Sequence, residues 1–253
     1  MIKTLVKKIV EKIFGFSFLK SLYKKNYLDP ELNNNFWKRT LEILNIQYTL
    51  RSSNLIPREG SCVIVSNHPF GILDGLIICS EVAKIRKDYR ILINEELTII
   101  DHIKSYLLPL RLDANKDAAR INIRSKNKAI DFINKGGLVI IFPSGEVATS
   151  EIFLKTAVEK NWKPMIGSIL RKVKCKILPI YCFGQNSFLF QLTGIINYKF
   201  RRILFARELI NKSNKKFIAE CGNLLDSEIY KNLDNEKIAK LLRLETLKIA
   251  NLH

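Results

Sequence analysis

The chain has 253 residues, 47% hydrophobic and 26% charged, with a formal net charge of +18. That balance excludes a disordered chain and one embedded throughout in a bilayer, and it suffices for the core of one large α/β domain. Five scattered cysteines (Cys62, Cys79, Cys175, Cys182, Cys221) without a CxxC pair argue for reduced thiols and against a disulfide framework or zinc site.

Residues 1–28 carry seven lysines and one glutamate. Ile2, Leu5, Val6, Ile9, Val10, Ile13 and Phe14 follow a helical spacing, with Lys3, Lys7, Lys8, Glu11 and Lys12 largely off that stripe. A basic amphipathic helix followed by phenylalanines suits a membrane surface, and the plainer alternative is a terminal helix packed on its own core. No small-residue cleavage site follows, so a secretory signal is not expected. No apolar run approaches the roughly 18 residues of a spanning helix. Residues 1–50 are therefore read as a membrane-association segment and 51–253 as the main domain.

Asn33 to Asn35 are expected to cap a short helix through Leu44. Cys62–Ser66 and Tyr89–Ile93 read as strands separated by a helix over Asp74–Lys87. Glu95–Tyr106 reads as helical, Leu107–Leu112 as extended, and Lys116–Lys135 as a long helix ended by Gly136-Gly137. Leu138–Phe142 is the clearest buried strand, and Cys175–Tyr181 is another. Such alternation predicts an α/β fold, a mostly parallel sheet flanked by helices on both faces, with an N-terminal amphipathic helical segment.

Ser66-Asn67-His68-Pro69-Phe70-Gly71-Ile72-Leu73-Asp74-Gly75 follows directly on a predicted strand, where open α/β sheets place their chemistry. His68 is one of three histidines. With Asp74 six positions on, it can form a base and its orienting carboxylate. The bare spacing equally allows Asp74 to cap the next helix. Phe142-Pro143-Ser144-Gly145-Glu146 also leaves a strand end. Its Gly permits close backbone approach to a ligand, and its Ser lacks the preceding glycine of a hydrolase elbow. Arg111 ends a third apolar segment and suits a phosphate or carboxylate, or else an internal ion pair.

The order Asn67-His68…Asp74, Arg111, Phe142-Pro143-Ser144-Gly145-Glu146, Ile177-Leu178-Pro179-Ile180 resembles the four blocks of the PlsC-like glycerolipid acyltransferases. The resemblance covers residues 60 to 190. Gly184-Gln185-Asn186-Ser187 and Arg201-Arg202…Arg207-Glu208-Leu209 are similar to the hemolysin-type bacterial branch, which is related to the enzymes that acylate lyso-ornithine lipids. Two departures stand out. Five residues separate His68 from Asp74 where the family has four, and Ser144 replaces the usual glutamate, with Glu146 after the glycine.

The resemblance implies an acyltransferase domain over 51–253 that moves a fatty acyl group from acyl-CoA or an acyl carrier protein to a lysophospholipid or lyso-aminolipid. His68 would be the general base and Asp74 its orienter. Asn67, Arg111, Pro143, Ser144, Gly145 and Glu146 would bind substrate, with backbone N–H groups near Gly145 as oxyanion donors. No metal or cofactor beyond the acyl donor is implied. The expected place is the cytoplasmic side of a membrane, peripherally on its anionic surface. The cluster Lys199, Arg201, Arg202, Arg207, Lys212, Lys215 and Lys216 would meet phospholipid, coenzyme A or acyl carrier protein, or simply be solvated. Competing readings are a non-enzymatic lipid-binding or membrane-active protein and a thioesterase or lipase on the same scaffold. A nucleic-acid binder is disfavoured, because no basic stripe is interleaved with stacking aromatics.

Overall fold

The computed structural model describes residues 35–111, 116–151, 156–196 and 204–252, with Phe18, Leu19, Ser21, Lys24 and Arg201 besides. Most of the N-terminal amphipathic stretch lies outside these. Within it, Leu19 is half-buried against the core, while Phe18 is exposed.

Asn35 opens α1 (Phe36–Ile43), and its Oδ1 accepts the Lys38 N–H at 3.1 Å. Trp37 and Leu41, one turn apart, form the buried face of α1. β1 (Gln47–Arg51) and β2 (Cys62–Ser66) follow; all five residues of β2 are buried. β1 crosses residue 50, the boundary drawn from the sequence, so residues 36–51 share the layers of the main domain.

α2 (Ile72–Ile85) leads to β3 (Tyr89–Asn94). Two 3-10 stretches, Glu95–Ile99 and Asp101–Tyr106, stand where a helix was expected. They break at Ile100, whose backbone is extended. The β-branched run Thr98-Ile99-Ile100 disfavours a continuous α-helix there. β4 (Leu107–Leu110), α3 (Lys116–Asn134) and β5 (Leu138–Ile141) agree with the expected positions to within two residues.

Then come α4 (Met165–Leu170), β6 (Lys176–Cys182), α5 (Phe188–Ile196), α6 (Phe205–Ile210), β7 (Lys216–Cys221), β8 (Leu225–Asp226) and α7 (Asn235–Lys248).

The strands form one sheet in the order β1-β7-β6-β2-β5-β3-β4, with β8 beside β6. Pairing is parallel from β6 through β2, β5 and β3 to β4, while β7 runs antiparallel to β6. Side chains alternate between two cores. Cys62, Ile64, Leu138 and Ile140 face α1 and α2, whereas Val63, Val65, Val139 and Ile141 face α3, α4 and α7. The expected mostly parallel sheet covered on both faces is what forms. At one end, Arg86 clamps Asp88 and the carbonyls of Pro57, Gly60 and Gly136. The carboxyl ends of β2, β3, β4, β5 and β6 all open at the other. No helix among the described residues is long and apolar enough to cross a membrane.

Candidate active site

β2 delivers Asn67 and His68 to that end. Asn67 was expected to touch substrate, but its amide is engaged within the fold: Oδ1 accepts the Cys182 N–H at 2.7 Å and Nδ2 donates to the Cys182 carbonyl at 3.0 Å. The residue is buried and joins the ends of β2 and β6. It thereby fixes the point from which His68 projects.

His68 Nδ1 lies 2.9 Å from Asp74 Oδ2, with the side chains 18% and 0% exposed. The distance is that of a hydrogen bond, but the alignment of one is not yet made. Catalytic hydrogen bonds often tighten only when substrate is bound. The imidazole stacks on Phe142 with ring centroids 4.2 Å apart, and Nε2 is the nitrogen left for a substrate.

Asp74 also accepts the N–H groups of Phe70 and Gly71, each at 2.9 Å on the same Oδ2. Gly71 precedes the first turn of α2, so Asp74 reaches back to its cap residue as the acidic member of a capping box does. The capping and orienting roles therefore coexist in one carboxylate. Within the spacer between His68 and Asp74, Gly71 sits at φ +84°, where a Cβ would meet Phe205 at 3.1 Å and Val147 at 3.2 Å. Only glycine suits that conformation and that space. Behind Asp74, the Cys182 thiol is pushed well above its usual range, by burial first and by the Asp74 charge next.

Sequence reasoning missed Glu159. Its buried carboxylate accepts the His68 backbone N–H at 3.0 Å on Oε2 and the Trp162 indole N–H at 2.9 Å on Oε1. Burial pushes its carboxyl above the ordinary range, against the pull of those two donors and of the His68 charge. The His68 carbonyl accepts the Ala148 N–H at 2.9 Å, so the residue is held on both backbone sides. Ala157-Val158-Glu159-Lys160-Asn161-Trp162 has no periodicity that would single Glu159 out.

After β5, the Gly145 N–H donates to the Phe142 carbonyl at 3.0 Å and closes a tight turn, with Gly145 at φ +66°. That N–H, among those expected to meet an oxyanion, is thus already engaged. The Glu146 N–H has only a 3.5 Å contact with Ser144 Oγ. Ser144 is buried and donates to the Glu146 carbonyl at 2.8 Å. The Pro143 carbonyl accepts the Lys163 N–H at 2.9 Å. The Glu146 carboxylate is half-buried and makes no hydrogen bond or ion pair among the described residues.

Arg111 sits at the same end of the sheet but three strands from β2, about 14 Å away at ordinary strand spacing. Its Nε donates to Glu95 Oε1, and its backbone is tied to Asn122 in both directions. The internal ion pair is therefore the reading that the geometry supports. His68, Asp74 and the 142–146 loop come together; Arg111 is paired with Glu95 beyond β4, three strands from β2.

The basic cluster is also divided. Lys212 and Arg201 are buried, which excludes both the solvated and the docking roles for them. Lys212 meets Asn186, the Glu208 carboxylate at 3.3 Å and the face of Phe70 at 5.3 Å. Burial pulls its ammonium below the usual lysine range, opposed by Glu208 and by Asp74. Arg201 donates to Thr149 and to the Val147 carbonyl. Both buttress the loops from behind. Lys199 and Arg202 lie outside the described residues.

A family model described as Acyltransferase matches residues 26–231. Among curated proteins, the chain is 23% identical over 223 residues to a lyso-glycine lipid O-acyltransferase of Phocaeicola vulgatus, covering 83% of this chain and 77% of that one. A second protein of that name, from Bacteroides thetaiotaomicron, is 23% identical over 226 residues, covering 83% and 79%. Among solved structures, the crystal structure of the 1-acyl-sn-glycerophosphate acyltransferase PlsC from Thermotoga maritima superposes with a TM-score of 0.58 over 97% of each chain, at 16% identity. That likeness shows the fold.

Proposed function

This chain belongs to the acyltransferase family, and we propose that it transfers a fatty acyl group from a thioester donor to the hydroxyl of a lysolipid. The donor is acyl-CoA or an acyl carrier protein, and the acceptor is a lysophospholipid or lyso-aminolipid at an anionic membrane surface. The names of the two curated relatives favour the lyso-aminolipid. The observation that carries the mechanism is the fully buried Asp74 2.9 Å from Nδ1 of a histidine whose backbone is fixed on both sides.

His68 Nε2 takes the acceptor hydroxyl proton as that oxygen attacks the thioester carbonyl. The carbon–sulfur bond then breaks, and the proton passes from His68 to the departing thiolate. Asp74 stabilises the imidazolium between these steps. The thioester is already activated, so positioning and charge stabilisation suffice and no covalent enzyme intermediate is needed. Of the 142–146 loop, the Glu146 N–H would meet the developing oxyanion, because its contact with Ser144 Oγ is long at 3.5 Å whereas the Gly145 N–H is engaged. No cofactor beyond the acyl donor enters the step. The chain works peripherally on the cytoplasmic face, drawn to anionic lipid by its +18 charge.

The test is product formation, read by mass spectrometry, from acyl-CoA or acyl carrier protein with lyso-glycine lipid, lyso-ornithine lipid and lysophosphatidate. Transfer to at least one acceptor is expected, with a loss of at least about 100-fold in His68→Ala. Undiminished transfer by that variant would overturn the mechanism. Failure of the protein to cosediment with anionic vesicles would overturn the peripheral placement.

A further inference from the structure

The acidic character of the site poses a problem for an anionic acceptor. Asp74 and Glu159 are buried around His68, and Glu146 stands on the adjoining loop. Arg111, the expected anion binder, follows β4, three strands across the sheet from β2, and is already bonded to Glu95. A lysolipid whose head group carries a carboxylate or phosphate needs a cation closer to the base.

Lys163 is such a cation. Its backbone N–H is tied to the Pro143 carbonyl at 2.9 Å, which anchors the residue to the loop that stacks on His68. Its side chain runs over Gly145: the ammonium lies 3.0 Å, and Cε 3.4 Å, from where a Cβ on that glycine would be. Gly145 at φ +66° both turns the loop and leaves the space that the lysine stem crosses. Lys163 is exposed, and its ammonium has no hydrogen bond or ion pair among the described residues. The stacking partner of the imidazole and the glycine crossed by the lysine stem thus stand at the two ends of one tight turn, which suits a hydroxyl and a head-group anion carried on one molecule.

We propose that Lys163, cradled by Gly145, binds the head-group carboxylate or phosphate of the lysolipid acceptor and so selects anionic acceptors. This rests on the acyltransferase reading above. A glycine joined to a lipid through its amine keeps a free carboxylate, so a lyso-glycine lipid has the required chemistry. An ammonium is a compact charge with three rotatable donors, unlike the planar fork of arginine, so it accepts either anion. Phosphate could also come from coenzyme A, and the kinetics separate these sources.

The experiment compares wild type with Lys163→Ala and Lys163→Arg, using lyso-glycine lipid, its methyl ester and lysophosphatidylglycerol as acceptors. Binding of lyso-glycine lipid to each protein is measured calorimetrically without donor. Lys163→Ala is expected to raise the acceptor KM at least about tenfold for the two anionic lipids, and the Kd of lyso-glycine lipid likewise, with kcat within about threefold. The methyl ester should be handled alike by wild type and Lys163→Ala. Lys163→Arg should restore binding to within about threefold. An unchanged acceptor KM, or a rise in KM for acyl-CoA instead, overturns the proposal. If wild type binds the acceptor but transfers nothing, the acyltransferase reading fails while the calorimetry still decides the role of Lys163.

Discussion

Asp74→Asn separates the two roles that Asp74 combines. Its Oδ2 accepts two backbone N–H groups at 2.9 Å and lies 2.9 Å from His68 Nδ1. An asparagine carbonyl in that position keeps all three contacts and removes only the charge. Hydrogen bonds to a charged acceptor contribute roughly 1.5–3 kcal/mol against about 1 for neutral ones, so folding stability should fall by about 1–3 kcal/mol. The reaction should suffer more. A charge pair at 4 Å contributes about 4 kcal/mol at an effective dielectric near 20. His68 is only 18% exposed, which trims that figure modestly. Losing about 3–4 kcal/mol of imidazolium stabilisation lowers kcat by about 100- to 1000-fold. Asp74→Ala also strands two donors, at about 1–3 kcal/mol each, and should lose stability as well as rate. Initial rates of thiol release from acyl-CoA, measured beside thermal melts, distinguish the cases. If Asp74→Asn melts lower yet keeps kcat within about threefold, the carboxylate only caps its helix and the orienting role is refuted.

Glu159 holds its proton more tightly folded than unfolded, so wild-type stability is lost as pH climbs from the ordinary value of 4.5 toward its raised value. Glu159→Gln removes that slope, and its melting temperature relative to wild type should improve across that window; a pH-independent difference would show an ordinary carboxyl. Lys212→Met leaves the Glu208 charge buried with, among the described residues, only the Ser187 N–H and hydroxyl to meet it, the side-chain exposures in the native pair being 6% and 3%. It should cost about 3–5 kcal/mol in denaturant melts, partly recovered by Lys212→Met with Glu208→Gln. Gly167→Ala places a Cβ 2.4 Å from the Asn235 carbonyl oxygen, which forces α4 and α7 apart. A loss of about 1–3 kcal/mol is expected, and an unchanged melting temperature would argue against that contact.

What could be read from the sequence follows from how local each interaction is. β2 and β5 were legible because both faces are buried, giving unbroken β-branched runs. β1 is one edge of the sheet with β7 beside it, and both are largely exposed or half-covered. In β1 only Leu50 is buried, so Gln47-Tyr48-Thr49-Leu50-Arg51 carried no strand signal. His68 and Asp74 were legible as a pair because one turn brings them together. Glu159 reaches the same histidine from 91 positions away, through a backbone N–H that every residue but proline possesses. No side-chain type in the sequence marks such a contact.

Charge was the least readable property, because it depends on which partner the fold supplies. Glu208 and Lys212 stand four apart, a spacing that fits a solvated helical pair as well as a buried one. Burial beneath Phe70 makes the pair a support for the His68–Asp74 loop. Arg111 was placed at the correct end of the sheet, yet Glu95, at the end of the neighbouring strand, neutralises it. Lys163 lies in a stretch with no pattern, and its side chain crosses the loop that stacks on His68. A strand-end arginine is thus a poor guide to where an anion binds until its partners are known. Lys163 differs in that the glycine it crosses leaves room for its stem and its ammonium meets no carboxylate among the described residues, so the charge that Glu95 removes from Arg111 is retained there.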